Sequence, residues 1–508
     1  MRPGKPTPPI AFGTSVEATG EHLGGRRVAV TPEFVEQLRS VCASVDTAPA
    51  ELIEAGRDWW PLTLRWALEG ETPARPGAIA RPTSVEETQA VVRLCAQFSI
   101  PLTAAGGRSG VCGSSIPVFG GVALDCCGLV GIRDVDSKSL LVDVAAGTFG
   151  PELESELASD YGLTIGHWPQ SIDLATVGGW IACRGAGQYS TRYGKIEDIV
   201  AGLEVVLANG EVIRTGAMAG AGPRSAIGPD LTQLFVGSEG TLGIITAARL
   251  RAHPVAETER RAAFGCSSFE QGLEVLRLTL RRGATPAVVR LYDEQESRRS
   301  FEQATNLLIV LDEGDTVVVE AAMAVLTSEA EAAGLEVLDT ELVARWLDHR
   351  NDVSALESVT RAGIVVDTIE ISAGWSRLPA IYTQALAALE NLDGCLAASA
   401  HESHAYLDGA CLYFTFAGRD PNADGGDPSW SETFYKAAWA AVMRATTANG
   451  GSISHHHGIG LVRGPYIAGA LGEGFEVLKS LKSMLDPAGV LNPGKLGLDS
   501  PFGPPPWP

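Results

Sequence analysis

The sequence predicts an α+β protein of two lobes, and three observations carry that prediction. Its 508 residues suffice for roughly three units of about 150 residues, or for one enzyme with two large lobes. Three glycine-rich loops, each abutting short apolar strands, fall between residues 101 and 246. Beyond His253-Pro254, strands alternate with alanine-rich helices, the texture of a second, α/β lobe.

The elements follow in order. An N-terminal segment, 1–75, is expected to be helical, with a helix over 33–45 and an aromatic cluster at Trp59, Trp60 and Trp66 that reads as packing. Residues 76–253 form the first lobe, where Ser84 caps a helix to about residue 98 with Glu86 and Glu87 in its first turn. Strands over 100–104, 122–124 and 140–144, a helix over 152–161 and a hairpin of 203–207 with 212–214 about Asn209-Gly210 complete it. Residues 254–428 form the second lobe. Its helices over 270–281, 321–333 and 377–390 lie among strands over 287–291, 306–311, 364–370, 395–401 and 410–416. The polar stretch 418–428 reads as a loop crossing between lobes. Residues 429–498 return with a helix over 429–449, a histidine cluster and a last helix over 475–485. The tail 499–508, which ends PFGPPPWP, cannot hold a helix and is expected to be extended and exposed.

Composition narrows the function. With 39 basic and 61 acidic residues the net charge is −22, a field that repels nucleic acid and anionic membrane surfaces. Any anionic substrate must therefore meet a local patch of Arg or His. No apolar run reaches the length of a membrane-spanning helix. The first ten residues, MRPGKPTPPI, lack the apolar stretch of a secretory signal. Nine scattered cysteines without a C-x-x-C pair point to reduced, mostly buried thiols, so the expectation is a cytoplasmic protein without a metal site. A homodimer and peripheral contact with a membrane stay open. Glycine is the outlier at 58 residues, roughly 11% against a usual ~7%.

The informative glycines cluster in motifs. The run Pro101 to Gly110 (PLTAAGGRSG) can present successive amides to an anion, yet it matches neither G-x-G-x-x-G nor the P-loop. A second element runs from Gly166 through Gln170, Ser171, Thr176, Gly178 and Gly179 to Arg184. The third, Phe235 to Thr246, contains Glu239, Gly240, Thr241, Leu242, Gly243, Ile244 and Ile245. Three such loops imply an extended ligand touched by backbone at several points, as a dinucleotide would be. Separately, Ser454 to Gly460 (SHHHGIG) places three adjacent imidazoles that can donate, accept or take up protons near neutral pH. Consecutive residues converge poorly on one metal ion, which favours acid–base or substrate-binding histidines.

The order of these loops resembles the FAD-binding domain of the vanillyl-alcohol oxidase type, the FAD-linked oxidases, and the run from Leu481 to Leu496 is similar to that family's closing signature. The resemblance implies a two-lobed FAD-binding domain with an α/β cap and a cofactor site of Thr103, Ala104, Ala105, Gly106, Gly107, Arg108, Ser109, Gln170, Ser171, Thr176, Gly178, Gly179, Arg184, Glu239 to Ile245, Asn492 and Lys495. Arg108 stands where many relatives carry a flavin-linked histidine, so the FAD is expected to be non-covalent.

Within the family, hydroxy-acid dehydrogenases carry G-E-H-G-I-G and an H-x-G-D-G-N-x-H stretch that holds a divalent metal. Here His456 takes the glutamate position, and the stretch from His404 to Tyr413 lacks the Asn and second His. What remains resembles the alkyl-dihydroxyacetonephosphate synthases, which exchange the acyl group of acyl-dihydroxyacetone phosphate for a long-chain alcohol through a flavin–substrate adduct. That resemblance implies catalytic roles for Tyr406, His455, His456 and His457 and phosphate binding by Arg290, in Arg-Leu-x-Asp, and Arg377, after Glu-x-Ser-Ala-x-Trp. Trp168 and Gln170 depart from that pattern, where acidic residues are usual. The alternative is an FAD-dependent oxidoreductase of a hydroxy acid, alcohol or sugar.

Overall fold

The computed structural model describes residues 11–353, 355–422 and 429–507. The first ten residues and most of the expected lobe crossing lie outside the described residues. The first lobe is built on two main sheets. Strands β1 (Val45–Asp46), β2 (Ala78–Ala80), β3 (Leu102–Ala105) and β4 (Val122–Asp125) form one, in the order β1-β2-β4-β3 with β2, β4 and β3 parallel. Strands β5 (Ile132–Asp136), β6 (Leu141–Ala145), β7 (Val200–Val206), β8 (Val212–Arg214) and β9 (Ile244–Arg251) form the second, antiparallel in the order β8-β7-β9-β6-β5. Between β2 and β3 runs α1 (Val85–Phe98), capped by the Ser84 hydroxyl accepting from the Glu87 amide.

The second lobe is one seven-stranded sheet. It contains β10 (Thr258–Cys266), β11 (Val288–Tyr292), β12 (Asn306–Gly314), β13 (Glu336–Leu338), β14 (Val365–Gly374), β15 (Cys395–Ala405) and β16 (Gly409–Gly418), in the order β13-β10-β12-β11-β15-β16-β14. Strand–helix alternation suggests parallel βαβ units, yet every pair in this sheet is antiparallel. The reason is insertion. Helix α2 (Phe269–Arg281) joins β10 to β11 with β12 slotted between them, and α3 (Leu378–Glu390) joins β14 to β15 with β16 between them. Each is a split βαβ unit, so the crossover strands stay parallel to each other without touching. Helix α4 (Trp430–Ala448) then packs on α3 and leads back to the first lobe.

The C-terminal return closes the molecule. The Leu102 amide donates to Val490 O at 2.8 Å and the Asn492 amide to Leu102 O at 2.8 Å, so the closing signature pairs with β3 itself. The tail corrects the sequence expectation, because Trp507 and Phe502 are buried. Trp507 meets Trp60 edge-on with centroids 4.8 Å apart, and Phe502 lies against Phe119. Proline content excludes a helix, but two aromatic side chains still bury an extended strap.

A histidine fastens the N-terminal segment to the far end of the chain. His22 lies on Trp66 (3.9 Å) and bridges Glu71 and Glu432, each at 2.6 Å. Burial works against its protonation, but the two carboxylates outweigh it and raise the imidazole above 6.5. A group raised on folding stabilises below its unfolded pKa and loses that contribution as pH rises through the folded one. His22→Gln should therefore lower the melting temperature at pH 6 more than at pH 9. Equal losses at both would remove the charged staple.

Candidate active site

The first glycine loop leaves β3 and backs onto a second loop. A Cβ at Gly106 would meet Thr176 Oγ1 at 2.2 Å, and one at Gly107 would meet Leu174 O at 1.7 Å. These glycines are required because loop packs on loop, which frees the outer amides of both. Thr176 also caps the short helix Val177–Ala182 by accepting from Gly179 N. Gly178 sits against Ala146, where a Cβ would come within 2.9 Å. Arg108, Arg184, Glu239 and Asn492 all have positive φ, between 39° and 59°, conformations that non-glycine residues hold only where surroundings impose them.

The polar atoms around these loops test whether a dinucleotide fits. Among the described residues, Arg108 Nε and Nη2, Ser115 Oγ, Trp180 Nε1 and both ring nitrogens of His167 are buried without a hydrogen-bond partner. Orphaned donors of this kind are costly unless a ligand meets them, and they border the predicted loops. The set suits FAD. Other predicted contacts have internal duties. Glu239 accepts from the Ile459 and Gly460 amides at 2.6 and 2.9 Å, and Asn492 Nδ2 donates to Glu239 O and Ser114 O. Lys495, fully buried, donates to Ile116 O at 2.7 Å. These three tie the third loop, the C-terminal signature and the histidine loop together. Thr103, Ala104 and Ala105 lie on β3 and Ser109 in the loop that follows, while Ser171 starts the turn before Thr176. Gly240 to Gly243 enter β9, which begins at Ile244 and Ile245. Gln170 is exposed, and Arg184 points outward to pair with Glu197.

The histidine loop is held by one carboxylate. Glu370, on β14 and fully buried, accepts from the amides of His455 and His457 and from Ser454 Oγ, and pairs with Arg463 at 3.0 Å. Arg463 also donates to Ile453 O and Gly458 O. Burial opposes ionisation of Glu370, but Arg463 and the neighbouring imidazoles hold it down to about 2. Lys195 Nζ donates to His455 O at 2.6 Å. The loop is thus fixed by its backbone, leaving its side chains for other contacts.

Those side chains form a network. His455 Nδ1 and His456 Nδ1 lie 2.8 Å apart, and Tyr413 Oη lies 2.5 Å from His456 Nε2 and 3.4 Å from His457 Nε2. A second chain runs beside it: Ser190 Oγ is 3.0 Å from Tyr406 Oη and 2.8 Å from His404 Nδ1. His404 joins the two, its ring centroid 5.2 Å from that of His455 and 4.9 Å from that of His456. Trp375 Nε1 donates to Tyr406 O and Leu407 O, steadying the turn between β15 and β16 that carries Tyr406. Burial pushes His455 down to about 3 and His457 to about 4, takes His404 and His456 well below the ordinary range, and raises the Tyr406 and Tyr413 phenols. Near neutral pH the imidazoles are uncharged and can still accept protons.

Arg290, on β11, faces this network, since its charge acts on His404, Tyr413 and Glu402. Arg377 does not join it: the residue precedes α3, is exposed, and among the described residues no hydrogen bond links its side chain to the cluster. The motif match located Arg377 in sequence, and the fold turns it outward. The histidines also converge better than adjacency suggests. Ligating atoms of His404, His455 and His456 lie within 4.8 Å of one another, as do those of Glu370, Cys411 and His456. Several of these atoms already bond within the network. Sequence reading missed Ser190, His404, Glu370, Arg463 and Lys195. His404, Glu370 and Lys195 lie in recognisable motifs, but nothing in those motifs gives them a role; their partners lie up to 260 positions away.

Comparison with known proteins agrees with this architecture. Residues 76–216 match the family model "FAD binding domain", and residues 255–496 match "FAD linked oxidases, C-terminal domain". The uncharacterized FAD-linked oxidoreductase YgcU of Escherichia coli O157:H7 is 30% identical over 440 residues, covering 83% of this chain and 89% of that protein. The alkyldihydroxyacetonephosphate synthase of Trypanosoma brucei brucei is 28% identical over 518 residues, covering 92% and 81%. An alkyldihydroxyacetonephosphate synthase structure superposes with a TM-score of 0.76 at 23% identity, covering 96% of this chain and 88% of that one. p-Cresol methylhydroxylase superposes equally well, at 0.76 and 18% identity, covering 94% and 99%. Among the described residues no helix is long and apolar enough to cross a membrane.

Proposed function

We propose that this chain, which belongs to the FAD-linked oxidase family and is an FAD-dependent enzyme, exchanges the acyl group of an acyl-dihydroxyacetone phosphate-like ester for a long-chain alcohol. The observation that carries the reading is the single network joining Tyr406, Ser190, His404, the three loop histidines and Tyr413 beside the Arg290 guanidinium. Bound FAD would supply an electron sink for the reacting carbon. We place Arg108, Ser115, His167 and the outer amides of the first two glycine loops around it, without a covalent link.

The chain's own groups then have separable tasks. Tyr406 Oη exchanges a proton with the carbon beside the ketone. Burial keeps its phenol protonated at neutral pH, so it needs an outlet, and Ser190 Oγ provides one by accepting from Tyr406 and donating to neutral His404 Nδ1. His455 to His457 hold and return protons as the fatty acid leaves and the alcohol, losing its hydroxyl proton, adds to the same carbon. Arg290 orients the phosphate, the task a protein of net charge −22 must solve locally.

Relatives named as an FAD-linked oxidoreductase, a glycolate oxidase subunit and a D-lactate dehydrogenase favour a second reading, oxidation of a hydroxy acid, alcohol or sugar. Anaerobic mixing of the FAD-loaded enzyme separates the two. Ether product from acyl-dihydroxyacetone phosphate and hexadecanol, without lasting flavin bleaching, is the expected result. Rapid bleaching by a hydroxy acid with no ether product would overturn it.

A further inference from the structure

Arg290 has a neighbour that no motif marks. Its side chain is only 9% exposed, Nε has no hydrogen-bond partner among the described residues, and the guanidinium lies 5.1 Å from the centroid of Trp346. Trp346, on the helix Glu341–His349, carries a second guanidinium, that of Arg350, 5.5 Å from its centroid. Arg350 is anchored by donating to Tyr189 Oη at 3.0 Å, and lies 5.4 Å from the Tyr189 ring. The next residue is Ser190, which contacts both Tyr406 and His404. Two guanidiniums therefore share one indole at the edge of the reaction network.

The carboxyl neighbour of Arg290 does not neutralise it, and that of Arg350 is shared with Arg192 and Tyr193. Glu402, which the Arg290 charge reaches, is fully buried with both oxygens unpartnered, and burial raises it to about 8, so at neutral pH it is mostly a neutral donor. Glu313, which faces Arg350, accepts from Tyr193 Oη at 2.8 Å. Two planar cations held against one aromatic side chain, one of them with an unpartnered Nε–H, suit a dianion.

We propose that Arg350 and Arg290, braced by Trp346, form a clamp for a phosphate monoester, with Arg350 taking the place that motif matching gives to Arg377. The clamp deepens the acyl–alkyl exchange reading and rests on it only for the identity of the ester.

Titration calorimetry of the FAD-loaded protein with dihydroxyacetone phosphate, dihydroxyacetone and D-lactate tests it. Arg350→Gln and Arg290→Gln should each weaken the phosphate ester by roughly tenfold or more, one charge-assisted contact, while dihydroxyacetone is unaffected and Arg377→Gln binds like the parent. Arg350→Lys, which keeps charge but not the planar fork, should fall between Arg350→Gln and the parent and covers the case in which Arg350→Gln folds poorly. Parent-like phosphate binding by both Arg350 variants, loss confined to Arg377→Gln, or a D-lactate loss matching the phosphate loss would each overturn the clamp. If ether exchange fails but the Arg350 dependence holds, the functional reading falls and the clamp stands; exchange without Arg350 dependence has the opposite meaning.

Discussion

Replacing Tyr406 by Phe should lower turnover by roughly two to four orders of magnitude, the usual contribution of a positioned acid–base group, and leave one FAD bound per chain. The phenol ring contributes to the turn through shape, and the Trp375 bonds go to backbone carbonyls, so Phe keeps both. What Phe lacks is the oxygen 3.0 Å from Ser190 Oγ. Ser190→Ala should cause a smaller loss, because a water can bridge to His404 Nδ1 where a side chain cannot be replaced at the reacting carbon. His404→Asn should shift the pH profile of the remaining activity, since it removes the terminal acceptor of the relay. Steady-state rates with the parent's flavin absorbance provide the check. Parent-like turnover in the Phe variant would remove Tyr406 from the reaction.

Much of this site was legible in sequence where chemistry sits in contiguous motifs. The glycine loops and Tyr406 each lie within a few residues of a strand end, and the three histidines follow the helix that ends at Ala448; local signals such as the Ser84 cap place element ends of this kind. Partnership was not legible. Ser190 reaches His404 across 214 positions, and Glu370 reaches His457 across 87, so only folding brings them together. Arg377 and Arg350 show both sides of this limit. The first sits in a motif but starts a helix facing outward, whereas the second sits in no motif but shares an indole with Arg290. The tail fails for a related reason: proline count speaks to helix formation, while burial of Trp507 depends on Trp60, far away in sequence.

Glu370→Gln should be the most destabilising single change in the molecule's interior. The amide leaves Arg463 charged, fully buried and without its carboxylate, and breaking a buried pair from one side costs about 3–5 kcal/mol. It also sets an NH2 against one of the loop amides that Glu370 now accepts, so the histidine loop loosens as stability falls. The pH dependence gives an independent signature. Glu370 titrates at about 2 in the fold against 4.5 ordinarily, and a depressed acid stabilises above its unfolded pKa and loses that contribution as pH falls through the folded one. The gap corresponds to roughly 3 kcal/mol, close to the loss expected from the unpaired arginine. Urea unfolding of parent and variant should therefore differ fully at pH 7, with the difference shrinking between pH 4.5 and 2 as this carboxylate protonates in the unfolded parent while the folded one stays ionised. A difference that stays constant down to pH 2.5 would mean that Glu370 holds the loop by shape and hydrogen bonding, with its charge and that of Arg463 contributing nothing.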